Sequence, residues 1–138
     1  YGLDYRHGTG HGEGFALNVH EGPQVLSYYA PVTEHTRLRE GMILSNEPGL
    51  YHAGQYGIRI ENLVVNQLKP LAEHDYGEFL EFETLTLCPI HLDPIDLSLL
   101  DDSEKKWLNQ YHQMVFEKLS PLLEGDVLDW LTHHTRAI

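Results

Sequence analysis

Three observations predict an α+β chain, an antiparallel β region followed by a helical C-terminal extension. Residues 1–65 are rich in glycine and β-formers. Glu47 and Glu61 lie equally far from Gly54, as the two arms of a hairpin do. After Pro89 and Pro94, Trp107, Leu108, Tyr111, Met114, Val115, Leu119 and Leu122 recur at helical spacing.

In order along the chain, His7-Gly8-Thr9-Gly10-His11-Gly12 comes first. His7 and His11 have the i, i+4 spacing of helical zinc motifs, but the alternating glycines oppose a helix. An extended segment is expected, with the histidines on one face and Gly8, Gly10, Gly12 and Gly14 on the other, where close backbone packing becomes possible. His20, in Asn18-Val19-His20-Glu21-Gly22-Pro23, is expected near the end of that strand. The hairpin around Gly54 follows, then a polar connector over 66–78 and a strand pattern over 79–87 carrying Phe79, Glu81 and Glu83. The helical stripe starts with Asp102 or Ser103 available as N-cap. Gly125 separates it from a short helix around 126–133 with Val127, Leu128, Trp130 and Leu131. Both tryptophans are read as core, with pairing to a second subunit as the alternative.

Nine basic against 21 acidic residues give a net charge of −12, which disfavours nucleic-acid phosphates and anionic lipid and favours cations or a basic partner. No apolar run is long enough for a membrane span, and Tyr1-Gly2-Leu3-Asp4-Tyr5-Arg6 does not resemble a signal peptide. The single cysteine, Cys88, cannot form an internal disulfide; it is read as a buried small hydrophobe in a reducing compartment. With no initiating Met and a rich motif so near its start, the chain is expected to be a fragment of a longer protein.

His11, Glu47 and Glu61 are residue types that bind divalent ions. Facing each other on one side of a hairpin, the two glutamates would place Cβ atoms about 4.5–5.5 Å apart. Like charges so placed repel. They call for a bridging divalent cation, a shared proton, or Arg59, which has the parity of Glu61 and so shares its face. Ile58, Ile60, Leu63, Val64 and Val65 around Glu61 suggest a buried strand with one functional polar position. One imidazole and two carboxylates do not fill a dinuclear centre, so part of a site is expected here. Other motifs fail on spacing. The alternating glycines are not a dinucleotide loop, one cysteine excludes a zinc deaminase, and no Gly-x-Ser-x-Gly is present.

These segments, His7–Gly12, Asn18–Pro23, Asn46-Glu47-Pro48-Gly49 and Gly57-Ile58-Arg59-Ile60-Glu61-Asn62, resemble the C-terminal part of cytosolic-type Xaa-Pro aminopeptidases, of the pita-bread metallopeptidase family. The tail from Phe82 through Trp107 to Trp130-Leu131 is similar to the extension of that branch. The resemblance implies a curved antiparallel sheet. It places the second half of a pita-bread domain, with part of the metal site, in 1–78 and the last strand plus helical extension in 79–138. It implies two divalent ions, Mn²⁺ first with Zn²⁺ or Co²⁺ as alternatives, held by His11, Glu47 and Glu61 and by two aspartates that no segment here matches. Glu61 would bridge, Glu47 would also shuttle a proton, and Arg59 would orient a ligand carboxylate. His20 would steady the tetrahedral intermediate and His7 would contact substrate near the proline. The implied activity is release of the N-terminal residue from peptides with proline second, in the cytoplasm; the aromatic, amphipathic extension adds the expectation of a homodimer formed through it. This chain alone is expected to be inactive. Glu13 stands where the family commonly has a small apolar residue. A prolidase-like dipeptidase of the same fold and a non-catalytic assembly module with a vestigial half-site are the alternatives.

Overall fold

The glycine-spaced N-terminal segment and the apolar runs at 43–46 and 62–68 can each expose a backbone edge to a neighbour, and they do so in succession. The computed structural model describes residues 2–16, 18–70 and 77–138. In chain order the strands are β1 (Gly10–His11), β2 (Val25–Leu26), β3 (Ile43–Asn46), β4 (Gly49–His52), β5 (Tyr56–Arg59), β6 (Asn62–Leu68) and β7 (Leu80–Thr84). Helices α1 (Asp102–Leu119) and α2 (Gly125–His134) follow, joined through a 3₁₀ turn at Ser120–Leu122. Two compact units are present, Tyr1–Thr86 and Leu87–Ile138, so β7 belongs to the first.

In the first unit every pairing is antiparallel: β1 with β2, β3 with β6, β6 with β7, and β4 with β5. β1 is also carried onto the free edge of β3. Glu47 N–H donates to the Thr9 carbonyl at 2.7 Å, Glu13 N–H to the Ile43 carbonyl at 3.1 Å, and Gly12 bridges Leu44. Glycine is required at position 10, where a Cβ would overlap the Ser45 carbonyl oxygen. Leu44 and Val64 form the buried apolar pair of this unit.

Several expectations are corrected here. His7 lies in a bend, and the strand is confined to Gly10–His11. His20 sits in a turn with φ 61°, because the chain folds back so that Glu21 N–H reaches the Gly12 carbonyl at 2.9 Å. The expected connector over 66–78 begins inside β6, which continues to Leu68, and its residues 71–76 lie outside the described residues. The strand expected over 79–87 is shorter, Leu80–Thr84.

In the second unit, Asp101 caps α1: its carboxylate accepts from Glu104 N–H at 2.9 Å, and the Glu104 carboxylate accepts from Asp101 N–H at 2.9 Å. The expected caps, Asp102 and Ser103, fall inside the helix instead. Tyr111, Val115 and Leu131 form the buried cluster, with Leu87, Ile90, Met114, Phe116, Leu119 and Leu123 packed around it. Trp107 and Trp130, expected in the core, are 51% and 52% exposed, because the buried stripe runs through Leu108, Tyr111 and Val115 instead. Cys88 is exposed, contrary to expectation. Its segment is not a strand but a strap held by its backbone, the Cys88 carbonyl accepting from Tyr111 O–H at 2.7 Å. Asn109 clamps the C-terminus, donating to the Ile138 carbonyl at 3.1 Å and accepting from Ile138 N–H at 2.9 Å.

The strap also binds His112, which is fully buried and whose Nε2 accepts from Ile90 N–H at 3.1 Å. Burial, the largest cause, pushes this imidazole below its ordinary pKa of 6.5. Below that pH the unfolded chain takes up a proton that the folded one refuses, so the helical unit loses stability as pH falls from neutrality. Replacing His112 by Gln should flatten that dependence. Amide hydrogen exchange at Ile90, compared between pH 7.5 and 5.5 after correction for intrinsic rates, measures it; equal slopes in both proteins would refute the assignment.

Candidate metal centre

The strand pairing brings the candidate ligands together. In β4–β5 the register pairs Gly49 with Arg59, and in β3–β6 it pairs Asn46 with Asn62. Both ladders are symmetric about the same point, Gly54, where φ is 72° in the hairpin turn. Glu47 and Glu61 therefore stand opposite each other in the gap between the ladders. Pro48, which has no N–H to donate, occupies that gap.

Glu47 is buried and held from three directions. Its Oε1 lies 3.1 Å from His11 Nε2 and accepts from Ser45 O–H at 3.0 Å. Its Oε2 accepts from Arg59 Nη1 at 3.0 Å. Arg59 continues to Glu61, with Nε 3.5 Å from Oε2. On the other side of the imidazole, Nδ1 lies 3.1 Å from the Gly12 carbonyl and 3.7 Å from Glu13 Oε1. His20 packs against His11 with ring centroids 4.1 Å apart and the rings tilted by 38°. His7 is separate from this cluster, its Nε2 3.1 Å from the Gly49 carbonyl and its ring edge-on to Tyr51.

Expectation and structure diverge at Glu61. The buried strand anticipated around it is absent: β5 is exposed along its whole length and the Glu61 side chain is 45% exposed. The reason is that β4 and β5 pair only with each other among the described strands, so Ile58 and Ile60 line an open face. Sequence reasoning also missed Ser45. It has the parity of Glu47 two residues on, so the same strand face was available as a signal. Tyr51, which packs against His7 and crosses Gly57, was missed as well.

The charge and hydrogen-bonding chemistry fits a divalent cation in part. Two carboxylates, Glu47 and Glu61, share one guanidinium, and a third, Glu13, faces the His11 ring. Both nitrogens of His11 face oxygen acceptors, and a neutral ring can satisfy only one of them. If Nδ1–H donates to the Gly12 carbonyl, the Nε2 lone pair confronts a carboxylate oxygen, an arrangement that needs a proton or a cation between them. The number of donors is nevertheless short. Among the described residues no group of three His, Cys, Asp or Glu side chains is gathered closely enough to hold an ion.

Residues 1–67 match the profile described as metallopeptidase family M24, and residues 78–138 match that of the C-terminal region of peptidase M24. A protein of Coprinopsis cinerea named a probable Xaa-Pro aminopeptidase P is 52% identical over 99% of this chain and 22% of its own length. Aminopeptidase P2 of Arabidopsis thaliana is 52% identical over 99% of this chain and 19% of its own. The crystal structure of a Caenorhabditis elegans X-prolyl aminopeptidase, described as a cytosolic enzyme with a di-nuclear active site, superposes with a TM-score of 0.83. It is 40% identical and matches 99% of this chain and 22% of that one. The chain thus spans about a fifth of the length of these relatives.

Proposed function

The chain belongs to metallopeptidase family M24, and from that premise we propose that it supplies the histidine and glutamate side of the dinuclear centre of an Xaa-Pro aminopeptidase. The observation that carries this reading is the buried Glu47 carboxylate, set between His11 Nε2 at 3.1 Å and Arg59 at 3.0 Å, with Glu61 opposite it. His11, Glu47 and Glu61 would hold two divalent ions, Mn²⁺ first and Zn²⁺ or Co²⁺ next, together with aspartates from outside this chain. When bound, the ions supply Lewis acidity toward the scissile carbonyl and a water acidic enough to attack near neutral pH.

This chain's residues do the rest. Glu47 accepts the attacking water's proton and passes it to the departing proline nitrogen. Arg59 keeps the Glu47 and Glu61 carboxylates aligned, and the exposed His20 donates to the oxyanion that develops on the substrate. His7, beside Tyr51, contacts the peptide near its proline. The substrate class is peptides with proline second, acted on in the cytosol, where the C. elegans relative is described. Trp107 and Trp130, half-exposed on the helical unit, suit a homodimer contact. No described helix is long and apolar enough to cross a membrane.

Titration of the full-length protein with Mn²⁺, following free ion by electron paramagnetic resonance, tests the ligand assignment. Two ions per chain are expected in the wild type, and the tight stoichiometry should be lost in Glu61→Ala. Undiminished binding by that variant would remove Glu61 from the ligand set. The 138-residue chain alone is expected to bind weakly, because it lacks the remaining anionic ligands.

A further inference from the structure

A buried hydroxyl must find partners, and Ser45 is fully enclosed with 0% exposure. Its oxygen accepts from His11 N–H at 3.0 Å, and its proton goes to Glu47 Oε1 at 3.0 Å. The direction of this relay is forced, because an amide N–H only donates and the hydroxyl carries one proton. The strand pairing makes the contact possible. The segment around β1 runs antiparallel to β3 with His11 opposite Ser45, and the missing Cβ of Gly10 lets the two backbones approach.

The consequence is that the backbone of one candidate ligand is tied through a single side chain to the carboxylate of another. Glu47 then has a protein donor on each oxygen, Ser45 on Oε1 and Arg59 on Oε2. A carboxylate has about four lone-pair sites, so each oxygen keeps one for a further electrophile. Arg59 is 47% exposed and its side chain is long, so it fixes the carboxylate loosely; Ser45 is short, enclosed and only two residues away.

We propose that Ser45 is a positioning residue for Glu47, tying its carboxylate to the His11 backbone so that imidazole and carboxylate present one geometry to a divalent cation. This rests on the metallopeptidase reading above. Its action is through Glu47, not through contact with substrate.

The test uses the full-length protein stripped of metal by chelation, with Mn²⁺ affinity read from free-ion electron paramagnetic resonance and the metal-free melting temperature recorded for each variant. Ser45→Ala should weaken Mn²⁺ binding about tenfold or more, the scale found when a partner of a metal ligand is removed. It should lower kcat with KM for the peptide unchanged. Ser45→Thr, which keeps the hydroxyl, should stay within about threefold of wild type. In a Glu47→Gln background, Ser45→Ala should change the residual affinity less than about twofold, because its target is gone. An equal loss in both backgrounds, no loss in either, or a threonine variant as weak as the alanine one would overturn the proposal. A wild type that takes up none of Mn²⁺, Co²⁺ or Zn²⁺ would overturn the proposed metal centre itself, before any substitution at position 45 is compared.

Discussion

Replacing Glu47 by glutamine is expected to lower kcat/KM of the full-length protein toward a proline-second peptide, the proposed substrate class, by at least about 1000-fold, or about 4 kcal/mol of transition-state stabilisation. The substitution keeps the shape and removes the charge. Glu47 offers one oxygen to Ser45 and His11 and the other to Arg59. An amide presents one oxygen and one NH₂, so either Arg59 or the Ser45–His11 pair meets a donor where it had an acceptor. The carboxylate that pairs with Arg59 disappears at the same time, as does the proposed proton carrier. Steady-state kinetics at saturating Mn²⁺ check the rate, and thermal melting of the metal-free protein checks that folding survives. A loss below about tenfold would mean that Glu47 is neither ligand nor proton carrier, and the proposed mechanism would fall.

Much of this site was legible because β-pairing obeys integer arithmetic. Once Gly54 is taken as the turn, Glu47 faces Glu61, Asn46 faces Asn62 and Gly49 faces Arg59, and the structure keeps that register through two separate ladders. Parity likewise placed Arg59 and Glu61 together, and their 3.5 Å contact follows. Parity says which face a residue takes, but it does not say what covers that face. The exposure of Glu61 and of β5 therefore had no signal in the apolar residues around them. His20 was misplaced for a related reason: the return of the chain at Glu21 onto Gly12 is a long-range backbone bond that local extension does not foretell. Ser45 was overlooked because a hydroxyl carries no charge to draw attention, although it is the residue joining His11 to Glu47.

The helical unit was legible in its stripe and less so in its ends. Asp101, Asp102 and Ser103 all suit an N-cap, and the deciding feature was Glu104 standing three residues after Asp101, which closes the capping box. Helical spacing identified Leu108, Tyr111 and Val115 as buried. It extended the stripe too far at both ends, to Trp107, which stacks on Tyr111 with centroids 5.7 Å apart while remaining half-exposed, and to Leu122, which lies exposed in the 3₁₀ turn beyond α1. Cys88 shows the limit of composition alone. Its apolar neighbours suggested burial, whereas the side chain is exposed, its carbonyl accepting from Tyr111 and its thiol turned to the Pro89 carbonyl.

Leu131→Ala should accelerate amide exchange at the interior of α1, Val115 included, by about 30- to 5000-fold, corresponding to a cost of about 2–5 kcal/mol. Leu131 is 1% exposed and packs with Tyr111 and Val115, the other buried members of its cluster. Removing it opens a cavity in the cluster that α1 and α2 share, and the half-buried Leu87, Ile90, Met114, Phe116, Leu119 and Leu123 around it can fill that space only in part. Val127, on the same helix but 56% exposed, provides the contrast: Val127→Ala should cost no more than about 0.5 kcal/mol if that face meets water. Equal costs at the two positions, read by exchange on the full-length protein, would mean that the exposed face of α2 is covered by another part of the protein or by a second subunit. A negligible cost at Leu131 would show instead that the two helices do not depend on the Tyr111–Val115–Leu131 cluster for their stability.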